Sequence, residues 1–404
     1  MRLALVSEHA NPLAAVGSVD AGGQNVHVAA LAAGLADLGH DVTVFTRRDT
    51  SSAPVQVATA HGYTVEHVPA GPPTDIPKDE LLPHMPAFAD YLEERLAAEP
   101  FDLVHAHFWM SGVASMRAAR PLGIPVLQTF HALGTVKQRN QGSRDTSPPE
   151  RLALERRLCR TVDRVIATCS DEVAELRAMG LPRGRASVIP CGVDVDAFRP
   201  RPDVRRPSDP PRLLVIGRIV ERKGFGNVIE ALAGLPGVEL VVAGGPAHDV
   251  LEADPEAVRL QRRAEELGVA DRVRFLGGVA REDVPAVMCS ADIVVAVPWY
   301  EPFGIVPVEA MACGRPVVGS AVGGLLDTVV PGVTGELVPP RRPELLAPVL
   351  RGLLADPERR RRYGEAGRAR AVRTYQWSQV AAATEDVYAG AVATLARQRS
   401  GAVR

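Results

Sequence analysis

The sequence predicts an α/β protein built from two doubly wound, Rossmann-like domains. Three observations lead there. Short apolar runs alternate with helix-length amphipathic stretches along most of the chain, the pattern of parallel strands covered on both faces by crossover helices. The alternation breaks once, at residues 199–212 (RPRPDVRRPSDPPR), and then restarts; a Pro-rich, charged segment without periodicity reads as a linker. The length, 404 residues, suits two or three separate cores at roughly 100–200 residues each.

The elements follow in order. Residues 3–7 read as the first strand, and 26–38 as an amphipathic helix stopped by Gly39. Residues 41–46, 103–107, 126–130, 164–167 and 187–190 are further short apolar runs, with helical stretches at 81–98 and 149–160 between them. Beyond the linker, strands are expected at 213–216, 238–243, 273–275, 293–297 and 316–319. After Asp356 the chain turns helical and basic, and 378–397 is an Ala-rich helix. Doubly wound domains bind ligands at the carboxyl ends of their strands, so the chemistry is expected in the cleft where two such domains face each other.

Composition narrows the function. Hydrophobic residues make up 46% and the net charge is −2, which argues against nucleic acid as the main partner. No apolar run reaches the ~18 residues of a membrane span, and the first residues lack a signal-peptide pattern; a cytoplasmic protein is expected. The five cysteines form no C-x-x-C and read as reduced small hydrophobes. Of 46 basic residues only Lys78, Lys137 and Lys223 are lysines. Ammonium and guanidinium differ in size, hydration and donor geometry, so a surviving lysine marks a position to inspect.

The most informative segment is 300–310, YEPFGIVPVEA. Pro302 and Gly304 mark a turn, and a helix is expected from about Ile305. Glu301 falls on the loop before it and Glu309 about one turn in. Between them the helix start offers free N–H groups, an anion site. This string resembles the E-x7-E motif of the retaining family 4 glycosyltransferases of GT-B fold, as do Cys313–Val318 (CGRPVV) and Gly323-Gly324. The resemblance runs from Gly22 to about Trp377. It implies that Glu301 meets hydroxyls of the donor sugar and Glu309 those of the ribose, with Phe303, Gly304, Ile305 and Val306 lining the donor site.

Residues 217–224 (GRIVERKG) resemble the same family's G-R-x4-K-G pattern. Arg218 and Lys223, beside Gly217, then face the departing diphosphate, one as a planar fork and one as a point charge. The loop around Gly22, Gly23, Gln24 and Asn25 is not a G-x-G-x-x-G. It is similar to the loop that touches donor phosphate and acceptor in the branch of sucrose-phosphate synthases and inositol-phosphate glycosyltransferases. His131 matches a histidine that faces the donor sugar. His105, His107 and Trp109 form a second loop, read as acceptor contact or packing, because H-x-H lacks a third metal ligand nearby. Asp194 and Asp196 make a D-x-D that resembles a domain-crossing G-V-D-x3-F and is read as structural.

The resemblance implies residues 1–198 as the acceptor-binding domain, 199–212 as the linker and 213–377 as the nucleotide-sugar domain, with 378–404 packing back on the first. It implies a hexosyl-type transfer with retention, from a UDP-, GDP- or ADP-sugar, with no metal or other cofactor required. Lys78 and Lys137 match lysines of the branch that takes phosphorylated acceptors, so a small anionic acceptor is expected. Phe108 and Ala132 depart from that branch's Tyr and Thr, which places inositol phosphate itself in doubt. A peripheral-membrane transferase using a lipid-linked acceptor is the nearest rival, and a non-catalytic sugar-nucleotide-binding protein a rival of another class.

Overall fold

The computed structural model describes residues 1–14, 23–201, 204 and 210–402, with side chains through residue 398. Gly22 and half of the Pro-rich segment lie outside the described residues. The chain forms two compact units, Met1–Cys191 with Trp377–Arg404, and Gly192–Gln376. The division falls before the Pro-rich segment because residues 193–198 are tied to the second unit. Val193 N donates to Tyr375 O at 2.6 Å, and one Arg368 nitrogen donates to the carbonyls of Val195 and Phe198.

Among the described residues the first unit holds strands β1 (Arg2–Val6), β2 (Asp41–Arg47), β3 (Gln56–Ala58), β4 (Thr64–Val68), β5 (Leu103–His107), β6 (Val126–Thr129), β7 (Arg164–Ala167) and β8 (Ala186–Val188). They form one sheet in the order β3-β4-β2-β1-β5-β6-β7-β8, parallel except for the β3–β4 pair. The helices are α1 (Gly23–Asp37), α2 (Met85–Ala98), α3 (Trp109–Ala119), α4 (Gly134–Gln141), α5 (Arg151–Thr161) and α6 (Ser170–Ala178). One core cluster joins the sheet to α2 and α3 through Phe88, Leu92, Met110 and Ala114. The other joins it to α1 and the C-terminal helix Trp377–Ala402 through Val28, Leu31, Leu35 and Tyr388. Gly34 of α1 is there because a Cβ would sit 2.8 Å from that of Ala381.

Among the described residues the second unit has a parallel sheet of β9 (Arg212–Ile216), β10 (Glu239–Ala243), β11 (Val273–Gly277), β12 (Ile293–Ala296), β13 (Val317–Ser320) and β14 (Gly335–Val338). Their order is β11-β10-β9-β12-β13-β14. Its helices are α7 (Phe225–Leu232), α8 (Pro255–Glu266), α9 (Val284–Cys289), α10 (Ile305–Ala312), α11 (Leu325–Thr328), α12 (Pro343–Leu354) and α13 (Pro357–Thr374). Among the described residues no helix is long and apolar enough to cross a membrane.

Strand order places the sites. From β1 the chain winds outward through β2 and β4, then returns and winds the other way through β5, β6 and β7. The switch point therefore lies between β1 and β5, and in the second unit between β9 and β12. Loops leaving the carboxyl ends of those pairs diverge and open a crevice, where ligands bind in such sheets.

Candidate functional site

In the second unit the switch point brings the two main sequence motifs together. The loop after β9 carries Gly217 and Arg218, and runs through a short turn at Glu221–Lys223. The loop after β12 carries Glu301. Lys223 Nζ contacts Glu301 Oε2 across 78 residues of chain, and both side chains are mostly buried. Gly224 makes the approach possible. It sits at φ +74°, and a Cβ there would lie 2.0 Å from the Val297 carbonyl oxygen. Arg218 is exposed at the mouth of the same crevice.

The helix α10 starts as expected at Ile305, after Gly304 at φ +89°, with no side chain capping its first turn. Pro307 has no N–H, so Ile305 and Val306 carry the foremost amides of this end. Gly323 and Gly324 serve the same loop: Cβ atoms there would lie 2.0 Å from Glu301 O and 2.2 Å from Phe303 O. Gly324 N donates to Glu301 O at 3.0 Å. Phe303 is buried against Tyr375, with ring centroids 6.2 Å apart. Glu309 is 3% exposed and pairs with Arg281 at 2.5 Å; burial pushes its carboxyl up, against the pull of Arg281. The Arg281 guanidinium lies 4.5 Å over the Phe198 ring. Arg281 was not found from the sequence, since nothing local links it to Glu309.

In the first unit the crevice between β1 and β5 is lined by a buried polar cluster. Glu8, just past β1, accepts from Ser111 N at 3.1 Å and contacts Ser111 Oγ. Its other oxygen lies 2.7 Å from His9 Nδ1. Gln24 Nε2 reaches Ser7 Oγ at 3.3 Å and His107 O at 3.4 Å, and Asn25 donates to Asn11 O at 2.9 Å. Both amides thus fasten the loop after β1, beside Gly23 at the start of α1.

Two strained residues follow β5 and β6. Phe108 has φ +80° and His131 φ +60°, sparsely populated conformations for such side chains. Phe108 is held there by Thr129 O, which accepts from its N–H at 2.8 Å, and by Gln128, which donates to its carbonyl. The loop carrying His131 is held by a buried pair on α5 that sequence reading missed. Arg151 donates to Glu155 at 2.8 Å and to Ala132 O at 2.8 Å, and Glu155 accepts from Gly134 N at 2.9 Å. Arg151 also lies 5.1 Å over the Phe108 ring.

Three expectations need correction. Trp109 is 1% exposed, packed beside Phe108 and Arg151, so it packs the loop instead of meeting an acceptor. Lys137 is not an open cation: its ammonium lies 3.3 Å from Asp79, 3.0 Å from Asp145 and 2.9 Å from Ser147 Oγ. Against burial, which opposes it, hydrogen bonds from Thr146 to Asp79 and from Ser147 to Asp145, with Lys137 beside both, hold the two carboxyls below their usual range. Finally, H-x-H does have further imidazoles nearby. His27, His107 and His131 bring one nitrogen each within 4.8 Å of one another. Burial pushes His27 down to about 4 and lowers His107 and His131, so all three rings are neutral at pH 7. His105 has both nitrogens occupied, by Tyr388 at 2.7 Å and Thr129 at 2.9 Å, and is a core residue. Lys78 opens a turn beside Asp79, and Asp194 accepts from the N–H groups of Asp196 and Ala197. A surface concavity of about 500 Å³ lies against α13 and includes none of the residues singled out above.

Comparison with known proteins fits this arrangement. The family model described as Glycosyltransferase Family 4 matches residues 21–197, and that described as Glycosyl transferases group 1 matches 197–370. A D-inositol 3-phosphate glycosyltransferase of Catenulispora acidiphila is 39% identical, over 98% of this chain and 96% of its own. One of Xylanimonas cellulosilytica is 37% identical, over 96% and 97%. The chain belongs to the family 4 glycosyltransferases of GT-B fold. Among solved structures, sucrose-phosphate synthase of Thermosynechococcus elongatus superposes with a TM-score of 0.89 at 34% identity, covering 98% of this chain and 100% of that one. This glycosyltransferase therefore stands with the inositol-phosphate and sucrose-phosphate branch, and its two parallel-sheet units are the two Rossmann-like domains of that fold.

Proposed function

We propose that this glycosyltransferase moves a hexosyl group from a nucleoside-diphosphate sugar to a small hydroxyl acceptor, with retention of anomeric configuration. The observation that carries the reading is the Lys223–Glu301 contact at the β9–β12 switch point, beside the uncapped start of α10. Glu301 accepts a hydroxyl of the donor sugar. Lys223, Arg218 and the amides of Ile305 and Val306 meet the diphosphate, whose charge grows as the glycosidic bond breaks. These cations and dipoles supply the charge stabilisation that a metal gives elsewhere, so the reaction proceeds without one. The diphosphate, on the face where the sugar departs, takes the acceptor proton. His131 faces the donor sugar as a neutral imidazole.

The acceptor is a phosphorylated small molecule. The relatives' names, with D-inositol 3-phosphate and sucrose phosphate in them, support the class. The acceptor differs from inositol phosphate in how it is held, because Phe108 and Ala132 offer no hydroxyl. Lys78 is assigned to its phosphate because it matches a lysine of the branch that takes phosphorylated acceptors.

The test has two parts. Thermal shifts with UDP, GDP and ADP and their glucose and N-acetylglucosamine derivatives identify the donor, since a ligand that binds the folded state raises the transition. Turnover of the donor that binds is then compared for sugar phosphates and inositol phosphates and their dephosphorylated forms, with the product's anomeric coupling read by NMR. Inversion, or equal rates with and without phosphate, refutes the corresponding part.

A further inference from the structure

His27, His107 and His131 converge from three elements: α1, the end of β5, and the loop just past β6. Their ring centroids lie 5.6, 5.0 and 5.2 Å apart in pairs. His107 Nδ1 and His131 Nε2 stand 2.9 Å apart. His107 Nε2 and His27 Nδ1 are buried and have no hydrogen-bond partner. Leaving a buried polar atom without a partner is costly. It also departs from how this unit treats its other buried imidazoles. His105, 4.2 Å from His107, has both nitrogens bonded, and His67 bonds Pro54 O.

Three imidazoles that each bring one nitrogen within 4.8 Å of the others form a candidate ligand set. Zinc bonds imidazole nitrogen at about 2.0–2.1 Å in tetrahedral sites, which places ligand nitrogens roughly 3.3 Å apart. His107 Nδ1 and His131 Nε2 share a hydrogen bond at 2.9 Å, whose proton an incoming ion displaces, and one nitrogen from each ring lies within 4.8 Å of the others, so side-chain adjustment closes the site. An all-imidazole set with no carboxylate selects zinc and its late first-row neighbours over magnesium, calcium or manganese. Three protein ligands leave the fourth position to water or an anion. The mount is rigid, because the His131 loop is fixed through Gly134 to the buried Glu155 and through Ala132 O to Arg151. His131 is only partly buried, which gives the ion a way in.

We propose that His27, His107 and His131 bind one zinc-class divalent cation, and that the bound ion inhibits sugar transfer by occupying His131. The inhibitory half rests on the proposed role of His131 toward the donor sugar; the binding half does not. Occupancy takes the imidazole lone pair that the proposed role of His131 needs, so the ion and the donor compete.

The test separates the halves. The full-length protein is stripped with EDTA and titrated with zinc chloride by calorimetry in a non-coordinating buffer, and with cobalt(II) by visible absorption. The expected result is one ion per chain, a tetrahedral cobalt spectrum, and no heat from magnesium. His27→Phe keeps an aromatic ring against Trp377 without a ligand nitrogen, and His27→Gln guards against a packing effect of the larger ring. Both, and His107→Gln, are expected to weaken binding at least about 100-fold. Transfer by the wild type should fall with zinc, recover with EDTA, and show a rising apparent KM for the donor. His27→Phe should keep its rate and lose zinc sensitivity. No binding to the wild type, or binding unchanged in all three variants, overturns the site. Binding without inhibition overturns the link to His131 and leaves the site standing.

Discussion

Replacing Gly224 by alanine tests whether backbone closeness is what brings Lys223 to Glu301. Two costs apply. At φ +74° an L side chain costs roughly 1–2 kcal/mol. The new Cβ would also lie 2.0 Å from Val297 O, where ordinary contact begins at 3.4 Å, and forcing such an overlap costs about 1–3 kcal/mol more. Gly237 separates the two. It has φ +70° with nothing within 4 Å of a built Cβ, so Gly237→Ala incurs the conformational cost alone. Urea denaturation should show Gly224→Ala less stable than Gly237→Ala by about 1–3 kcal/mol. The strand-end loops must part to relieve the overlap, which carries Lys223 away from Glu301. A displacement near 1 Å at reacting groups costs on the order of 100-fold, so donor turnover should fall by that much in Gly224→Ala and stay near wild type in Gly237→Ala. Equal destabilisation of the two variants refutes the close-approach argument. Full activity in a destabilised Gly224→Ala refutes the link from that approach to catalysis.

Lys223→Ala should lower kcat by about 10²–10³, and Lys223→Arg should not restore it, because a forked guanidinium does not reproduce the ammonium contact with Glu301; wild-type rates for Lys223→Arg in steady-state assays would remove lysine's special place. Glu172 is fully buried, and burial pushes its carboxyl up to about 7 from an ordinary 4.5, even though Thr168 donates to it twice. The folded state thus binds this proton more tightly than the unfolded chain. Its contribution is complete below pH 4.5 and is lost as pH rises through 7, on the order of 3 kcal/mol in all; urea midpoints at pH 5 and 8 should lose part of that slope in Glu172→Gln, and an unchanged slope refutes the assignment. Tyr388→Phe should cost the first unit about 1–3 kcal/mol, by leaving buried His105 Nδ1 without its partner, with kcat unaffected; an unchanged thermal midpoint counts against that bond.

Strands buried on both faces announced themselves as apolar runs, and β5 and β7 match the sequence reading residue for residue. The strands that escaped it did so for physical reasons. In β4, Thr64–Val68, buried Glu66 and His67 interrupt the apolar pattern. Glu66 is tolerated because Arg95, Tyr91 and Gln56 surround it, partners drawn from α2 and β3 that no local pattern reveals. The edge strand β3 has three residues, too short to stand out from a loop, and β14 (GELV) begins with a glycine and a charged Glu336 that break the apolar run. At the site, motifs written in consecutive residues were legible, as with the start of α10 and the two halves of the Lys223–Glu301 contact. Pairs made across the fold were not. Ser111 lies 103 residues from Glu8, and Arg281 is no sequence neighbour of Glu309. The census of lysines marked Lys137 as special for a reason the structure replaces: it is enclosed by Asp79 and Asp145.

The first unit is not continuous in the chain. Tyr388, which fills the space behind His105, and Ala381, which sits against Gly34, are added after all of residues 192–376. On a ribosome emitting about 5–20 residues per second, the earlier-made unit must wait some ten to forty seconds for its last helix. Through that interval the cluster that holds Leu31 and Leu35 lacks Val380, Tyr388 and Ala391. The second unit is uninterrupted in the chain, so all of its residues are made before that helix. The C-terminal helix completes the cluster that packs α1 against the sheet, so a chain cut after Gln376 holds every residue of the second unit and an incomplete first one.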